Sequence, residues 1–303
     1  MTSHTIDARV QRLAAARSPD APLVPSLMVL SCVQAHLLRR VRMPQSACIM
    51  VLKGHKTLIS ENDRLVARPG DMFLLPALFE VTIENVPDPS HGVYRALCLT
   101  LAPETVARVL ASTRTPPEPK ALALGSLRVR MDGVLEASLA HLLDMAEACP
   151  DNERLLALCL EAFLLLVSER TSGFAALWRA EDAWKTRCAR VVGVDTARTW
   201  TAAGLAARLG VSERTFRRHL RREGTTFREV LRDTRLEAAL VLLQSGSMAV
   251  SEASFRCGYE SPSRFATRFR ERYGVKPSDI VRFVAGNGQH LAGSELTKDV
   301  RNG

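Results

Sequence analysis

The chain has 303 residues, 47% of them apolar and 24% charged, which excludes a disordered polymer and leaves room for two domains. Its longest apolar runs fall short of the roughly 20 residues of a membrane span, and no signal-peptide core begins the chain, so we expect a cytoplasmic protein without a membrane partner. The net charge is +9, and residues 178–284, with 21 Lys and Arg and 12 Asp and Glu, carry all of it, which favours a nucleic-acid partner.

The first part of the chain carries strand signals. Between residues 23 and 101, short stretches rich in Val, Ile and Leu alternate with turn residues such as Lys53-Gly54. Several strands at this spacing predict a small antiparallel sandwich or barrel over residues 23–125. We expect the preceding residues 1–22 to be flexible.

The spacing of the apolar residues then changes from every second residue to every third or fourth residue. Residues 131–148 and 152–170 predict two helices, which form a helical connector over residues 126–177. The second helix is apolar nearly all round, so it is buried on more than one side. Either it lies wholly in the core of its own chain, or one face packs against a second copy. The residues assigned to that dimer interface are Leu155, Leu158, Phe163 and Leu166.

A helix–turn–helix pattern follows within residues 178–284. An apolar stripe ends at Gly210, Ser212 is placed to cap the next helix, and Phe216 and Leu220 point to one side of that helix. On the opposite face four arginines follow the spacing i, i+3, i+4, i+7. They are Arg214, Arg217, Arg218 and Arg221.

This arginine face has two interpretations. It is either a solvated basic surface or a face that enters a DNA major groove, which admits one helix and offers guanine acceptors to an arginine fork. Solvated faces usually mix charges of both signs, whereas this face carries arginines alone, so DNA is favoured. Glu213 can accept from a cytosine amino group or favour the helix dipole, and we prefer the second role.

The same pattern recurs about 49 residues later. Gly258 marks the turn, and Ser261 caps a helix that has Phe265 and Phe269 on its inner side. The outward side chains of that helix are Ser263, Arg264, Thr267 and Arg268. One long helix separates the two units, so we expect two recognition helices in successive major grooves, about 34 Å apart.

These segments resemble the DNA-binding domain of the AraC/XylS family of bacterial transcription regulators. The resemblance rests on residues 205–243 and on residues 251–280, which contain the pattern G-[FY]-x-S-x-S-x-F-x-x-x-F-[KR]-x-x-x-G-x-x-P. It implies a seven-helix domain that reads an asymmetric promoter site, usually close to RNA polymerase. The family's base-reading positions correspond here to Arg214, Arg217, Arg218, Ser263, Arg264, Thr267 and Arg268.

The strand-rich region resembles the cupin-like sensor or dimerisation domain that many members of this family carry. The resemblance rests on the hairpin around residues 67–71 and on the strand after it. It implies a domain that responds to a small-molecule effector or a regulatory protein. Four basic side chains either neutralise an acidic effector or are ordinary surface charge. They are Arg39, Arg40, Lys53 and Lys56.

The sequence lacks the motifs of an enzyme. It has no H-x-H metal pair, G-x-S-x-G elbow or Walker A loop, so we expect no catalytic residues, no metal and no other cofactor. The seven cysteines are scattered and include no C-x-x-C pair, which favours buried thiols. A redox switch at Cys32, Cys48 or Cys98 is the alternative.

Together these features predict an α+β multidomain protein with a cupin-like sandwich, a helical connector, an all-α domain with two helix–turn–helix units, and a flexible tail at residues 285–303. The predicted function is sequence-specific binding of double-stranded promoter DNA by a homodimeric transcription activator that contacts RNA polymerase. A repressor is the alternative within this class. Outside it, the alternative is a ligand-sensing or protein-interaction module in which DNA binding is secondary.

Overall fold

The described part of the computed structural model comprises residues 2–15, 26–61, 63–113, 123–246 and 248–285. Strands fill the first part of the chain and helices the second, which confirms the predicted fold class. The predicted tail at residues 285–303 lies outside the described residues, apart from Ala285 at the end of the last helix.

The strands of the first part form two antiparallel sheets. In chain order the strands of the described residues are β1 (Leu27–Cys32), β2 (His36–Val41), β3 (Ala47–Lys53), β4 (His55–Ile59), β5 (Arg64–Ala67), β6 (Met72–Leu75), β7 (Val81–Val86), β8 (Tyr94–Thr100) and β9 (Arg128–Val129). One sheet has the order β1-β8-β3-β6-β9, and the other has the order β2-β7-β4-β5. Side chains from both sheets share one apolar core, so we call this part the sandwich.

Helix α1 (Thr2–Ala15) corrects the expectation of a flexible N-terminus over residues 1–22. Its apolar stripe of Ile6, Val10 and Leu13 is buried, and the helix packs against β3. This second covered face is the reason that nearly every residue of β3 is buried, whereas buried and half-buried residues alternate along β7. Residues 16–22 lie outside the described residues.

Four helices lie between β8 and the C-terminal part; the first precedes β9, and the other three form the connector. They are α2 (Pro103–Ser112), α3 (Gly133–Ala148), α4 (Glu153–Ser168) and α5 (Phe174–Asp182), of which α3 and α4 confirm the two helices predicted in this region. Before α3, Val129 of β9 pairs with Met72 of β6, so the sandwich continues beyond the boundary expected at residue 125. Residues 114–122 of the intervening segment lie outside the described residues.

All the regular elements in the described residues of the C-terminal part are helices. Its helices are α6 (Trp184–Gly193), α7 (Ala202–Arg208), α8 (Glu213–Arg222), α9 (Phe227–Gln244), α10 (Val250–Arg256), α11 (Pro262–Tyr273) and α12 (Pro277–Ala285). We call α7 with α8 the first unit, and α10 with α11 the second unit. A capping box between Thr226 and Glu229 begins α9, the long helix that joins the two units.

The sandwich packs directly against the second unit and the helix that follows it. The His36 ring of β2 stacks on the Phe283 ring of α12, with centroids 4.7 Å apart. The Val33 amide donates a hydrogen bond of 2.8 Å to the Phe283 carbonyl oxygen. Nearby, Arg42 forms an ion pair with Asp233 of α9 at 3.2 Å. The interface therefore combines ring stacking, a backbone hydrogen bond and buried charge.

Glu237 of α9 is a buried carboxyl group beside this interface, with 2% of its surface exposed. Burial raises its pKa to about 8, against the lowering effect of Arg272 and Arg42, while Asp233 and Glu80 raise it further. The Arg272 guanidinium lies 3.8 Å away. Glu237 is therefore protonated in the folded protein at neutral pH.

The raised pKa of Glu237 predicts a stability that depends on pH. Because the folded protein holds this proton more tightly than the unfolded chain does, the stabilisation is complete below the ordinary pKa of 4.5 and is lost as pH rises towards about 8. We expect the free energy of unfolding to fall across this window, by at most about 1.4 kcal/mol per pH unit. Denaturant unfolding between pH 5 and pH 8 should show a flatter dependence for Glu237→Gln.

The matched control for this prediction is Glu252→Gln, which removes a carboxylate from an exposed pair with Arg256. That variant should keep the pH dependence of the wild type. Equal slopes for Glu237→Gln and the wild type would show that Glu237 is ionised in the folded protein.

Candidate nucleic-acid interface

The first unit is built from local signals at its helix ends. The Thr201 hydroxyl accepts a hydrogen bond from the Gly204 amide at the start of α7, at 3.0 Å. Gly210 takes the left-handed backbone conformation of the turn, with φ of 70°. The Ser212 hydroxyl then accepts from the Thr215 amide at 3.2 Å, which confirms the predicted cap of α8.

The inner face of α8 holds the helix in place. Phe216 and Leu220 are at most 1% exposed and pack in a cluster with α6, α7 and the start of α9. The Phe216 ring meets the Phe227 ring edge-on at 6.3 Å. These contacts confirm the predicted inward direction of both residues and leave the opposite face free of the core.

The outer face of α8 carries the arginines. Arg214, Arg217, Arg218 and Arg221 are all exposed, as the sequence pattern predicts. Glu213 contacts Arg217, whose Nε and Nη2 both lie 2.7 Å from Glu213 Oε1. This ion pair gives Glu213 a further role that the sequence did not indicate, because it orients one guanidinium of the face.

A group of residues that no sequence pattern indicated holds the end of α8 on α6. The Glu223 carboxylate accepts hydrogen bonds from the Trp184 and Lys185 amides, at 2.7 and 2.9 Å. The Trp184 ring stacks on His219 of α8 at 4.2 Å, and Arg187 covers the other face of the ring. The partners lie 38 and 39 residues apart in sequence, so no local pattern could reveal them.

The second unit repeats the arrangement. The Ser261 hydroxyl accepts from the Arg264 amide at 3.4 Å at the start of α11. Phe265 and Phe269 are fully buried, which confirms their predicted inward direction. The four residues predicted to face outward are exposed; they are Ser263, Arg264, Thr267 and Arg268.

The turn of the second unit also packs against the segment before the first unit. Gly258 has φ of 75°, and a Cβ there would lie 2.6 Å from the Thr196 carbonyl oxygen. Arg235 of α9 donates to the Thr196 and Arg198 carbonyl oxygens, at 2.9 and 3.0 Å. Glycine is needed at position 258 because this turn closely approaches the Thr196 backbone, and Arg235 ties α9 to the same segment.

The four candidate effector residues lie in different environments. Arg40 pairs with Glu80 at 3.1 Å, and Lys53 lies 3.8 Å from Asp7. The side chain of Arg39 lies against Gly274, at the end of α11. Arg40 and Lys53 therefore pair with carboxylates of the same chain, whereas Arg39 is exposed.

Lys56 differs from the other three because it is buried inside the sandwich, with 2% of its surface exposed. Its ammonium donates to the Asn85 side-chain oxygen at 2.6 Å and lies 5.4 Å from the Tyr94 ring centroid. Burial lowers the pKa of Lys56 to about 8. Among the residues that the structure describes, no carboxylate pairs with this ammonium.

A small cavity lies next to Lys56, between the sandwich and α12. His36, Asn85 and Tyr94 line it on one side, and Phe283 lines it on the other. The Tyr94 hydroxyl is buried without a hydrogen-bond partner, and the Asn85 amide nitrogen lies 3.2 Å from His36 Nε2. The cavity has a volume of about 10 Å³, the space of one water molecule.

The surface of α4 corrects one residue of the predicted dimer interface. Leu158 is 58% exposed, and Leu155 and Leu166 are half-buried. Phe163 is fully buried in the core of its own chain and cannot reach a second copy, so that assignment is wrong. An apolar face of α4 remains uncovered around Leu158.

Cysteine placement favours the interpretation as buried thiols. Five of the seven cysteines are buried, and Cys149 and Cys159 are half-buried. Burial raises the pKa of Cys32 and of Cys98 to about 12, so the reactive thiolate form is disfavoured at both positions. Within the described ranges there is no cluster of three metal-ligating side chains and no helix long and apolar enough to cross a membrane.

Comparison with known proteins identifies both halves of the chain. The family model for the AraC-type transcriptional regulator N-terminus matches residues 23–167, and the model for a helix-turn-helix domain matches residues 205–282. Over 95 residues the chain is 33% identical to the HTH-type transcriptional regulator GadX of Escherichia coli O6:H1, covering 31% of this chain and 35% of GadX. Over 96 residues it is 34% identical to the HTH-type transcriptional activator CfaD of Escherichia coli, covering 32% of this chain and 36% of CfaD.

The match to these curated relatives spans about a third of their length. A solved structure shares the whole arrangement: ToxT of Vibrio cholerae bound to an unsaturated fatty acid superposes with a TM-score of 0.57 at 15% identity. The superposition covers 86% of this chain and 97% of ToxT. At this identity the likeness concerns the fold, and it supports the order of a two-sheet domain followed by helix–turn–helix units.

Proposed function

This chain belongs to the AraC/XylS family of DNA-binding transcription regulators, a non-enzymatic family, and we propose that it activates transcription by reading a specific promoter sequence with α8 and α11. The observation that carries the proposal is the exposed face of Arg214, Arg217, Arg218 and Arg221, on a helix whose other face is fixed in the core. The partner is double-stranded DNA, and the site of action is the cytoplasm.

The physics of the arginine face favours DNA over a protein partner. Like charges three and four residues apart repel each other on a helix, by about 0.2–0.5 kcal/mol per pair. Phosphates along the rims of a major groove neutralise that repulsion, and an arginine fork matches the two acceptors of guanine. A protein-interaction module gains nothing from four aligned arginines unless its partner is equally acidic.

The second unit extends the readout to a second groove. In this arrangement Arg264 and Arg268 reach bases or phosphates one helical turn from the contacts of α8, together with Ser263 and Thr267. Helix α9, with 18 residues and a length of about 27 Å, separates the two units. The likeness of this domain to the activator CfaD supports activation, and repression is the alternative. Contact with RNA polymerase is part of the proposal through the family resemblance.

A second candidate function is recognition of a carboxylic-acid effector by the sandwich. Lys56 is the one of the four candidate cations that lies buried without a carboxylate partner among the described residues, and the Tyr94 hydroxyl beside it lacks a hydrogen bond. An acid group entering here gains both partners in a site of low dielectric constant. ToxT, which shares the fold, binds an unsaturated fatty acid, and the same ligand class is the first to test.

An effector of that size has to widen the small cavity beside Lys56. The wall that moves is formed by α12, because Phe283 lines the cavity and stacks on His36. Binding would therefore separate the sandwich from the DNA-binding part at this point, which links effector binding to regulation.

A homodimer formed through α4 completes the proposal. Leu155, Leu158 and Leu166 give this helix a partly exposed apolar face, and a second copy supplies the same face in a two-fold interface. We propose the same domain limits as the sequence predicts, except that the sandwich extends to residue 129.

Arg217→Ala tests base reading by the first unit. We expect the variant to lose about 1–3 kcal/mol of specific binding and to relax its preference at one base pair, because a bidentate contact is removed. Selection of bound duplexes from a random pool measures both effects. Arg222→Ala is the control, since this exposed arginine lies off the aligned face and should lower affinity for all sequences alike. An unchanged motif for Arg217→Ala would restrict Arg217 to phosphate or solvent contacts.

Lys56→Met tests the effector site. Replacing the buried ammonium with an apolar side chain of similar length should abolish binding of oleate, measured by titration calorimetry, while the protein remains folded. Lys53→Met, at the partly exposed pair with Asp7, should bind oleate as the wild type does. Equal binding of oleate and its uncharged methyl ester would exclude recognition of the acid group by Lys56.

Leu158→Glu tests the dimer interface. We expect sedimentation to show a monomer, because the new charge would be buried against its own copy in the two-fold interface. Val134→Glu, at a similarly exposed apolar residue of α3, should leave the dimer intact. A dimer that persists in Leu158→Glu would place the interface elsewhere.

A further inference from the structure

Four charged side chains form a closed ring of alternating sign between the sandwich and the second unit. Arg42 Nη2 lies 2.6 Å from Glu80 Oε2, which lies 3.3 Å from Arg272 Nη1. Arg272 Nη1 lies 4.0 Å from Asp233 Oδ2, and that oxygen lies 3.2 Å from Arg42 Nη1. The sandwich supplies Arg42 and Glu80, α9 supplies Asp233, and α11 supplies Arg272.

Arg272 is the most buried member of the ring, with 5% of its side chain exposed. Its acidic neighbours within the DNA-binding part are Asp233, at 4.0 Å, and Glu237, at 3.8 Å. Its shortest ion pair, at 3.3 Å, is with Glu80 of the sandwich. A buried guanidinium requires close partners, and the sandwich supplies the nearest carboxylate to Arg272.

The local backbone of β2 aims this part of the sandwich at α11. A bulge interrupts the pairing of β2 with β7 between Leu38 and Val41. Within this bulge Arg40 has a φ of 54°, which is unfavourable for residues other than glycine. Bulges redirect side chains, and here Arg39 is placed against Gly274 at the end of α11, with Arg42 in the ring.

We propose that Glu80 and Arg42 are positioning residues for the second recognition helix and act on it through Arg272. The proposal rests on the proposed function, because it assumes that α11 reads DNA. Arg264 and Arg268 lie on the same rigid helix as Arg272, so the ring fixes how their side chains approach the second groove. Among the residues that the structure describes, no ion pair links the sandwich to α8, so the first unit is not held in this way.

The experiment compares DNA reading by the full-length wild type, Glu80→Gln and Arg42→Gln. Each protein is first used to select duplexes from a random pool, and Arg217→Ala and Arg264→Ala assign one block of the motif to each unit. Affinity is then measured for the intact site and for sites with either block scrambled. The ratio of the scrambled to the intact dissociation constant gives the discrimination at each block.

The expected result is a selective loss. In Glu80→Gln and Arg42→Gln, discrimination at the second block falls at least fivefold, and discrimination at the first block changes less than twofold. The effect of Glu80→Gln should disappear in an Arg272→Gln background, since the ring is already broken there. A general loss of stability would lower both ratios together, so this readout separates positioning from folding.

Glu84→Gln is the matched control. Glu84 lies on β7, near Glu80 in sequence, and pairs with the exposed Arg64 outside the ring. Glu84→Gln should leave the discrimination at both blocks unchanged. Glu80→Asp keeps the negative charge, so its discrimination at the second block should be close to that of the wild type. A wild type that reads two blocks, with both ratios unchanged in Glu80→Gln and Arg42→Gln, overturns the positioning role and leaves the proposed function intact. If the wild type selects a motif with a single block, both the positioning role and the proposed reading of DNA by α8 and α11 are contradicted.

Discussion

Burial of α9 is the constraint on which the arrangement of the whole DNA-binding part depends. Near its start Val230 packs in the cluster that holds α8, and farther along Leu236, Leu240 and Leu243 pack in the core shared with the second unit and the sandwich. Each fully buried leucine contributes about 1.5–3 kcal/mol. One rigid helix therefore sets the positions of both recognition helices, and a shift of α9 moves both.

Exposed and buried arginines serve opposite purposes in the helix–turn–helix units. On α8 the aligned arginines are exposed to water, which screens their mutual repulsion. On α11 Arg272 is buried, and its charge is met by carboxylates from two other elements. Exposed arginines provide affinity for a polyanion, whereas the buried one converts docking of the sandwich into a fixed helix orientation.

The sequence contained enough information to predict the two helix–turn–helix units, because their signals are local. Caps such as Ser212, turn glycines and apolar residues four apart all lie within a few residues of one another. The ring could not be predicted, since Arg42 and Asp233 are 191 residues apart and each resembles an ordinary surface charge. Phe163 was misplaced for a related reason: on a helix that is apolar all round, periodicity cannot tell which face meets the core.

The carboxylate of Glu223 ties the formation of two helices together. It stands just after α8, yet it satisfies the first amides of α6, which precede it in the chain by 38 and 39 residues. If the end of α8 frays, α6 loses its N-terminal hydrogen bonds and the stacking of Trp184 on His219 at the same moment. The two helices are thus coupled, so local unfolding at the end of α8 also loosens the start of α6, the helix that follows the connector.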